Sequence, residues 1–380
     1  MRALAFAENR LLMKVRCLRF TPVVVVLLLL SFMTSAVAPL TSPQPSIRDV
    51  TYYTMDGVDL KMDVYLPYSV GDAHRPLIVC VHGGGWIMGD KKEDAGISDV
   101  PELLSRGYVV ASINYRLAPR GKFPAQIEDV KCAVRSLRAN AATYHIDTDN
   151  IGALGSSAGG HLVSLLGVTN RSIGFDTGQY LEESSRVQAV VDYFGPSDLT
   201  ATDFVTGRCL ALTPMFGLGN VFKWASPVTY VSRDAPPFLI VHGDRDSVVP
   251  LSQSQRLYDS LTAAGVPATL VVVKNAAHDF VPIGGPINPT REEITRATAD
   301  FFDKHLRGIK TTATQTSNAT ALRSQTPRYS WILIAILTVP VIAFVMRASV
   351  DSSSRRNPKE VRRWFNDWNE SPLESSKHHS

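Results

Sequence analysis

Short apolar runs alternate with stretches of helical spacing from residue 50 to residue 305. The runs at 77–81, 108–113, 151–154, 187–191, 238–241 and 268–273 are continuous and mostly rich in β-branched residues, as expected of strands covered on both faces. Between them, 100–106, 127–141, 158–168, 252–264 and 291–305 read as helices. The alternation predicts an α/β fold: a mostly parallel central sheet with helices on both faces. Two earlier runs, 50–55 and 60–66, flank Asp56-Gly57 and predict an antiparallel hairpin at the sheet edge. Segment 174–235 is irregular, with one clear strand, and is expected to form a small cap over a site.

Two further apolar segments break the pattern. Residues 22–32 follow Arg2, Arg10, Lys14, Arg16 and Arg19 and precede the small residues Ala36-Val37-Ala38, the layout of a signal peptide or signal anchor over 1–38. Pro39 disfavours cleavage after Ala38. Residues 329–346 are uncharged over 18 positions, enough for a short transmembrane helix. Tyr329 and Trp331 would sit at one interface and Arg347 at the other. The Thr/Ser/Gln/Ala-rich stretch 308–328 reads as a flexible tether. The basic tail 347–380, with Arg355, Arg356, Lys359, Arg362 and Arg363, is expected in the cytoplasm. Both ends then place 46–307 as one catalytic domain outside the cytoplasm, whether periplasmic, extracellular or luminal.

Composition changes this picture in one respect. The 380-residue chain carries a net charge of +4, which taken alone could suggest a nucleic-acid partner. Residues 1–21 and 347–380 hold twelve of the 39 basic and six of the 35 acidic residues, so 22–346 carries 27 against 29. The excess charge belongs to the membrane flanks, and no nucleic-acid partner is expected. The cysteines, Cys17, Cys80, Cys132 and Cys209, have no metal-type spacing; Cys80 reads as a core residue.

The candidate chemistry lies after the strands. Gly155-Ser-Ser-Ala-Gly159 is a Gly-x-Ser-x-Gly between a predicted strand and a predicted helix, the setting in which Ser157 becomes a nucleophile. His82-Gly-Gly-Gly-Trp86 follows the strand 77–81. Its Gly84 and Gly85 amides, with that of Ala158, can form an oxyanion hole. A serine needs a base, and the base an orienting carboxylate. Asp244 and Asp246 follow the strand 238–241, and His278 follows 268–273. Chain order Ser, Asp, His is that of the α/β-hydrolase triad. His82, His161 and His242 are expected to be scaffold hydrogen-bonders.

These motifs, together with Asn114-Tyr-Arg-Leu-Ala-Pro119, Phe123-Pro-Ala-Gln-Ile-Glu-Asp129 and His242-Gly-Asp-Arg-Asp246, resemble α/β-hydrolases of the hormone-sensitive-lipase-like and feruloyl-esterase-like (BD-FAE-type) carboxylesterase group over roughly 50–307. The resemblance implies the triad Ser157, Asp246 and His278, selecting Asp246 over Asp244, and a role for Trp86 near the substrate. Arg116 is expected in a structural ion pair. The implied activity is a serine hydrolase cleaving small-molecule carboxylic esters through an acyl-enzyme, with no metal and no cofactor. An amide hydrolase of the arylformamidase or peptidase kind, or a non-catalytic membrane-anchored binding protein, is the alternative.

Overall fold

Eight strands form one sheet in the order β1-β2-β4-β3-β5-β6-β7-β8: β1 Ile47–Met55, β2 Val58–Tyr65, β3 Arg75–Val81, β4 Val109–Ile113, β5 Ile146–Ser156, β6 Ala189–Tyr193, β7 Phe238–Gly243 and β8 Ala268–Val273. This computed structural model describes residues 43–309, apart from 56, 68–73, 93–94, 206–214 and 217–220. The expected signal segment, the transmembrane helix, the basic tail and all but the first two residues of the tether lie outside the described residues. So do Cys17 and Cys209. Among the described residues, no helix is long and apolar enough to cross a membrane.

The hairpin stands at the sheet edge, with β1 antiparallel to β2 and β2 antiparallel to β4. From β4 to β8 every neighbouring pair is parallel. Five helices cover the sheet: α1 Val100–Ser105, α2 Ala125–Ala139, α3 Ala158–Val168, α4 Ser252–Ala263 and α5 Arg291–Leu306. Strand side chains alternate between faces. Leu77, Val79 and Val81 of β3 join Ile127, Val130, Leu162 and Leu257 from α2, α3 and α4. Ile78 and Cys80 join Val100, Leu103, Ile294 and Phe302 from α1 and α5. Two buried faces explain why the strands are continuously apolar. Truncating a side chain such as Leu77, which is fully buried, costs about 2–5 kcal/mol.

Several elements differ from expectation in their bounds, among them β1, β2 and the following three. β5 starts at Ile146, because Asp147, Thr148, Asp149 and Asn150 extend it at its exposed beginning. β6 runs on through Asp192 and Tyr193; the buried Asp192 carboxylate accepts bonds from Gly195 N and Ser164 Oγ, both at 2.8 Å. The helix expected over 127–141 ends at Ala139, and a separate turn follows at Ala141–Tyr144.

Candidate active site

Parallel strands end on a common edge, so the loops after β3, β5, β7 and β8 converge there. Ser157 sits between β5 and α3 with φ 52° and ψ −116°. A non-glycine residue in such a conformation costs on the order of 1–3 kcal/mol. The surroundings fix it: Ser157 N donates to Tyr193 O at 2.8 Å, and Ser157 O accepts from His161 N at 3.0 Å. The flanking glycines are required by close approach. A Cβ at Gly155 would lie 2.4 Å from Gly159 O, and one at Gly159 would lie 2.0 Å from Val81 O. Any larger residue would push the serine turn away from β3.

The glycine loop lies directly against this turn. A Cβ on Gly83 would sit 3.4 Å from the Ser157 Cβ. Gly84 turns its carbonyl inward to accept from Ile87 N and Met88 N. Outside the helix and strand ladders, the amides of Gly84, Gly85 and Ala158 donate to no backbone carbonyl among the described residues. Three such donors beside one serine hydroxyl can stabilise a developing oxyanion. Tyr115 holds the loop from below: its hydroxyl donates to His82 O at 2.9 Å, and its ring stacks on the His82 imidazole at 4.3 Å.

The His278 Nε2 lies 3.0 Å from Ser157 Oγ, and its Nδ1 lies 2.7 Å from Asp246 Oδ2. An ionised carboxylate only accepts, so Nδ1 carries the proton and Nε2 presents its lone pair to the serine hydroxyl. Asp246 Oδ1 accepts from Val248 N at 2.8 Å and Val249 N at 2.9 Å. Burial alone would raise the Asp246 carboxyl. Hydrogen bonding to His242 and His278 and to the Val249 amide outweighs that and holds it below the usual carboxylate range. His242 is a brace: Nε2 donates to Val249 O at 2.9 Å and lies 3.4 Å from Asp246 Oδ2, while Nδ1 accepts from Ser254 Oγ.

Asp244, the other carboxylate of this loop, faces Lys274 Nζ at 3.7 Å. Trp86 is 3% exposed, edge-on to His161 and Phe216 at 5.1 and 4.9 Å, so it forms part of an aromatic wall. His161 Nε2 donates to Ala225 O at 2.6 Å, and burial lowers its pKa to about 4. Arg116 pairs with Asp129 at 2.7 Å and Glu128 at 3.2 Å. Sequence reasoning did not single out Phe194, whose ring lies 4.7 Å from the His278 imidazole. Its position one residue beyond the end of β6 carries no motif that could have marked it. Among the described residues, no group of three His, Cys, Asp or Glu side chains is placed to hold a metal ion.

Comparison with known proteins finds esterases of the same fold. The chain is 31% identical over 237 residues to Esterase LipQ of Mycobacterium tuberculosis, covering 60% of this chain and 56% of LipQ. It spans about half the length of the curated relatives it matches first. A truncated carbohydrate esterase from gut microbiota superposes with a TM-score of 0.59 at 31% identity, over 70% of this chain and 98% of that one. Esterase Est2 of the planctomycete Thermogutta terrifontis, solved with butyrate bound, superposes with a TM-score of 0.58 at 28% identity, over 68% of this chain and 94% of that one. The fold is that of the α/β-hydrolases. The BD-FAE family profile matches residues 62–261, more than half of the chain, and the protein belongs to that family.

Proposed function

We propose that this protein is a carboxylic-ester hydrolase in which Ser157, His278 and Asp246 act as a catalytic triad. The reading is carried by the hydrogen-bonded chain from Asp246 Oδ2 through His278 to Ser157 Oγ, lying beside three uncommitted backbone amides. Ser157 attacks the acyl carbonyl as His278 Nε2 takes its proton. Asp246 stabilises the imidazolium that forms. The tetrahedral oxyanion is held by the amides of Gly84, Gly85 and Ala158. The imidazolium protonates the departing alcohol, leaving an acyl-serine. Water, deprotonated by the same imidazole, then releases the acid.

The aromatic wall of Trp86 and Phe216 favours compact acyl groups; the butyrate complex of Est2 supports the same size class. A series of nitrophenyl esters of increasing chain length reads this directly, with turnover expected to fall as the acyl chain lengthens. The terminal apolar segments and their basic flanks support a membrane-tethered enzyme with its domain outside the cytoplasm and residues 347–380 inside. Deleting 329–380 should release the domain from C-terminal anchoring. The central test is a fluorophosphonate probe. The wild-type protein should label and Ser157→Ala should not; absence of labelling in well-folded wild-type protein would overturn the triad.

A further inference from the structure

A buried network joins the last helix to the loops that carry Ser157 and His278. Asp99, at the end of the Ala95–Asp99 turn, is fully buried. Its Oδ1 pairs with Arg291 Nη2 at 2.9 Å and accepts from Thr295 Oγ1; its Oδ2 accepts from the Tyr193 hydroxyl at 2.9 Å. The Tyr193 hydroxyl also meets Thr298 Oγ1 at 2.6 Å. Arg291, Thr295 and Thr298 all belong to α5, so the Asp99 carboxylate and the Tyr193 hydroxyl together tie three side chains of that helix to the end of β6.

The guanidinium of Arg291 also lies over two rings, 5.6 Å from the Tyr193 centroid and 5.9 Å from the Phe280 centroid. Tyr193 supplies the carbonyl that accepts from Ser157 N. Phe280 closes the short turn His278–Phe280. The two rings meet edge to face at 5.4 Å, and Phe280 packs at 4.9 Å on Phe194, which in turn touches the His278 imidazole. A planar cation seated on both rings fixes the serine side of the site against the histidine side. Lysine could keep the charge but has no planar fork to stack.

We propose that Arg291, held by Asp99, is a positioning residue that sets the His278 turn against Ser157 through the Tyr193, Phe280 and Phe194 rings. The inference rests on Ser157 and His278 being the reacting pair. Displacement of the imidazole by a fraction of an ångström to one ångström is enough to slow the proton transfer steps about 10- to 100-fold.

The test uses the full chain and measures kcat, KM, the fluorophosphonate labelling rate and the melting temperature together. Arg291→Met should lower kcat about 10- to 100-fold with KM within about twofold of wild type, and labelling should slow in parallel. Phe280→Leu, which leaves the Asp99 pair intact, should lower kcat in the same direction. The double variant should lose less than the product of the two single losses. Arg291→Lys should recover melting temperature more fully than kcat. Wild-type kcat and labelling in folded Arg291→Met and Phe280→Leu would overturn the positioning role. So would a loss in Arg291→Met that only tracks the folded fraction. Turnover persisting in Ser157→Ala would instead overturn the triad, and this inference with it.

Discussion

Two buried carboxylates show how differently this molecule uses the same group. Asp176 packs under α2 between Lys131 Nζ at 3.1 Å and Arg135 Nη1 at 2.8 Å, all three side chains within 2% of complete burial. Burial would raise its pKa, but the Ser185 hydroxyl and the two cations hold it below the ordinary value. Asp246 is equally buried, yet its neighbours are two imidazoles and two backbone amides. The scaffold carboxylate already has its permanent counter-charges. Asp246 is met by imidazole and amide donors, and in the proposed reaction one of them, His278, acquires a positive charge. A pair complete at rest stabilises the fold; a pair completed on proton transfer stabilises the transition state.

The largest test of this contrast is Asp246→Asn. An amide cannot hold His278 in the required tautomer or stabilise its charged form, so kcat should fall about 10⁴-fold while the melting temperature changes little; a modest kcat loss would break the comparison. Asp176→Ala should do the reverse. It leaves Lys131 and Arg135 buried without a carboxylate, costing about 3–5 kcal/mol of stability, with kcat per folded molecule near wild type. Denaturant unfolding and active-site titration separate the two effects.

Acid sharpens the contrast further. The buried His161 has its pKa lowered to about 4, whereas an unfolded histidine titrates near 6.5. Between those values the unfolded chain binds the extra proton, so stability falls as pH drops through that window, by at most roughly 3 kcal/mol. His82 shifts in the same direction through burial. Unfolding midpoints between pH 7 and pH 4 should show the decline, and His161→Gln should flatten it. The smallest effect is expected from Asp244→Asn, which removes only a partner of the exposed Lys274: kcat should change by less than about fivefold.

The strands and main helices were legible because both faces of the central sheet are buried, and apolar runs such as 77–81 and 108–113 leave no other reading. Where polar residues extend an element, as at Asp147–Asn150 of β5 or Asp192 of β6, the run ended too early in the sequence. The two glycine-rich turns were also legible, since Gly84, Gly155 and Gly159 are demanded by close backbone contact. Asp244 and Asp246 share a loop, and residue type could not decide between them; in the fold Asp244 faces Lys274 and Asp246 faces His278. The partners of Asp99 lie 94 to 196 positions further along the chain. Helix α2 similarly buries Asp129, Lys131 and Arg135, charges that helical patterning alone would send to solvent.

The hydrogen bond between His278 and Ser157 spans 121 residues of chain, and this separates the two groups in time as well as in sequence. During synthesis at roughly 5–20 residues per second, the serine precedes the imidazole by about 6–24 s. A nascent chain ending near residue 250 contains Ser157, the glycine loop and Asp246, but not His278. The contact between Ser157 and His278 therefore cannot form until all eight strands have been made.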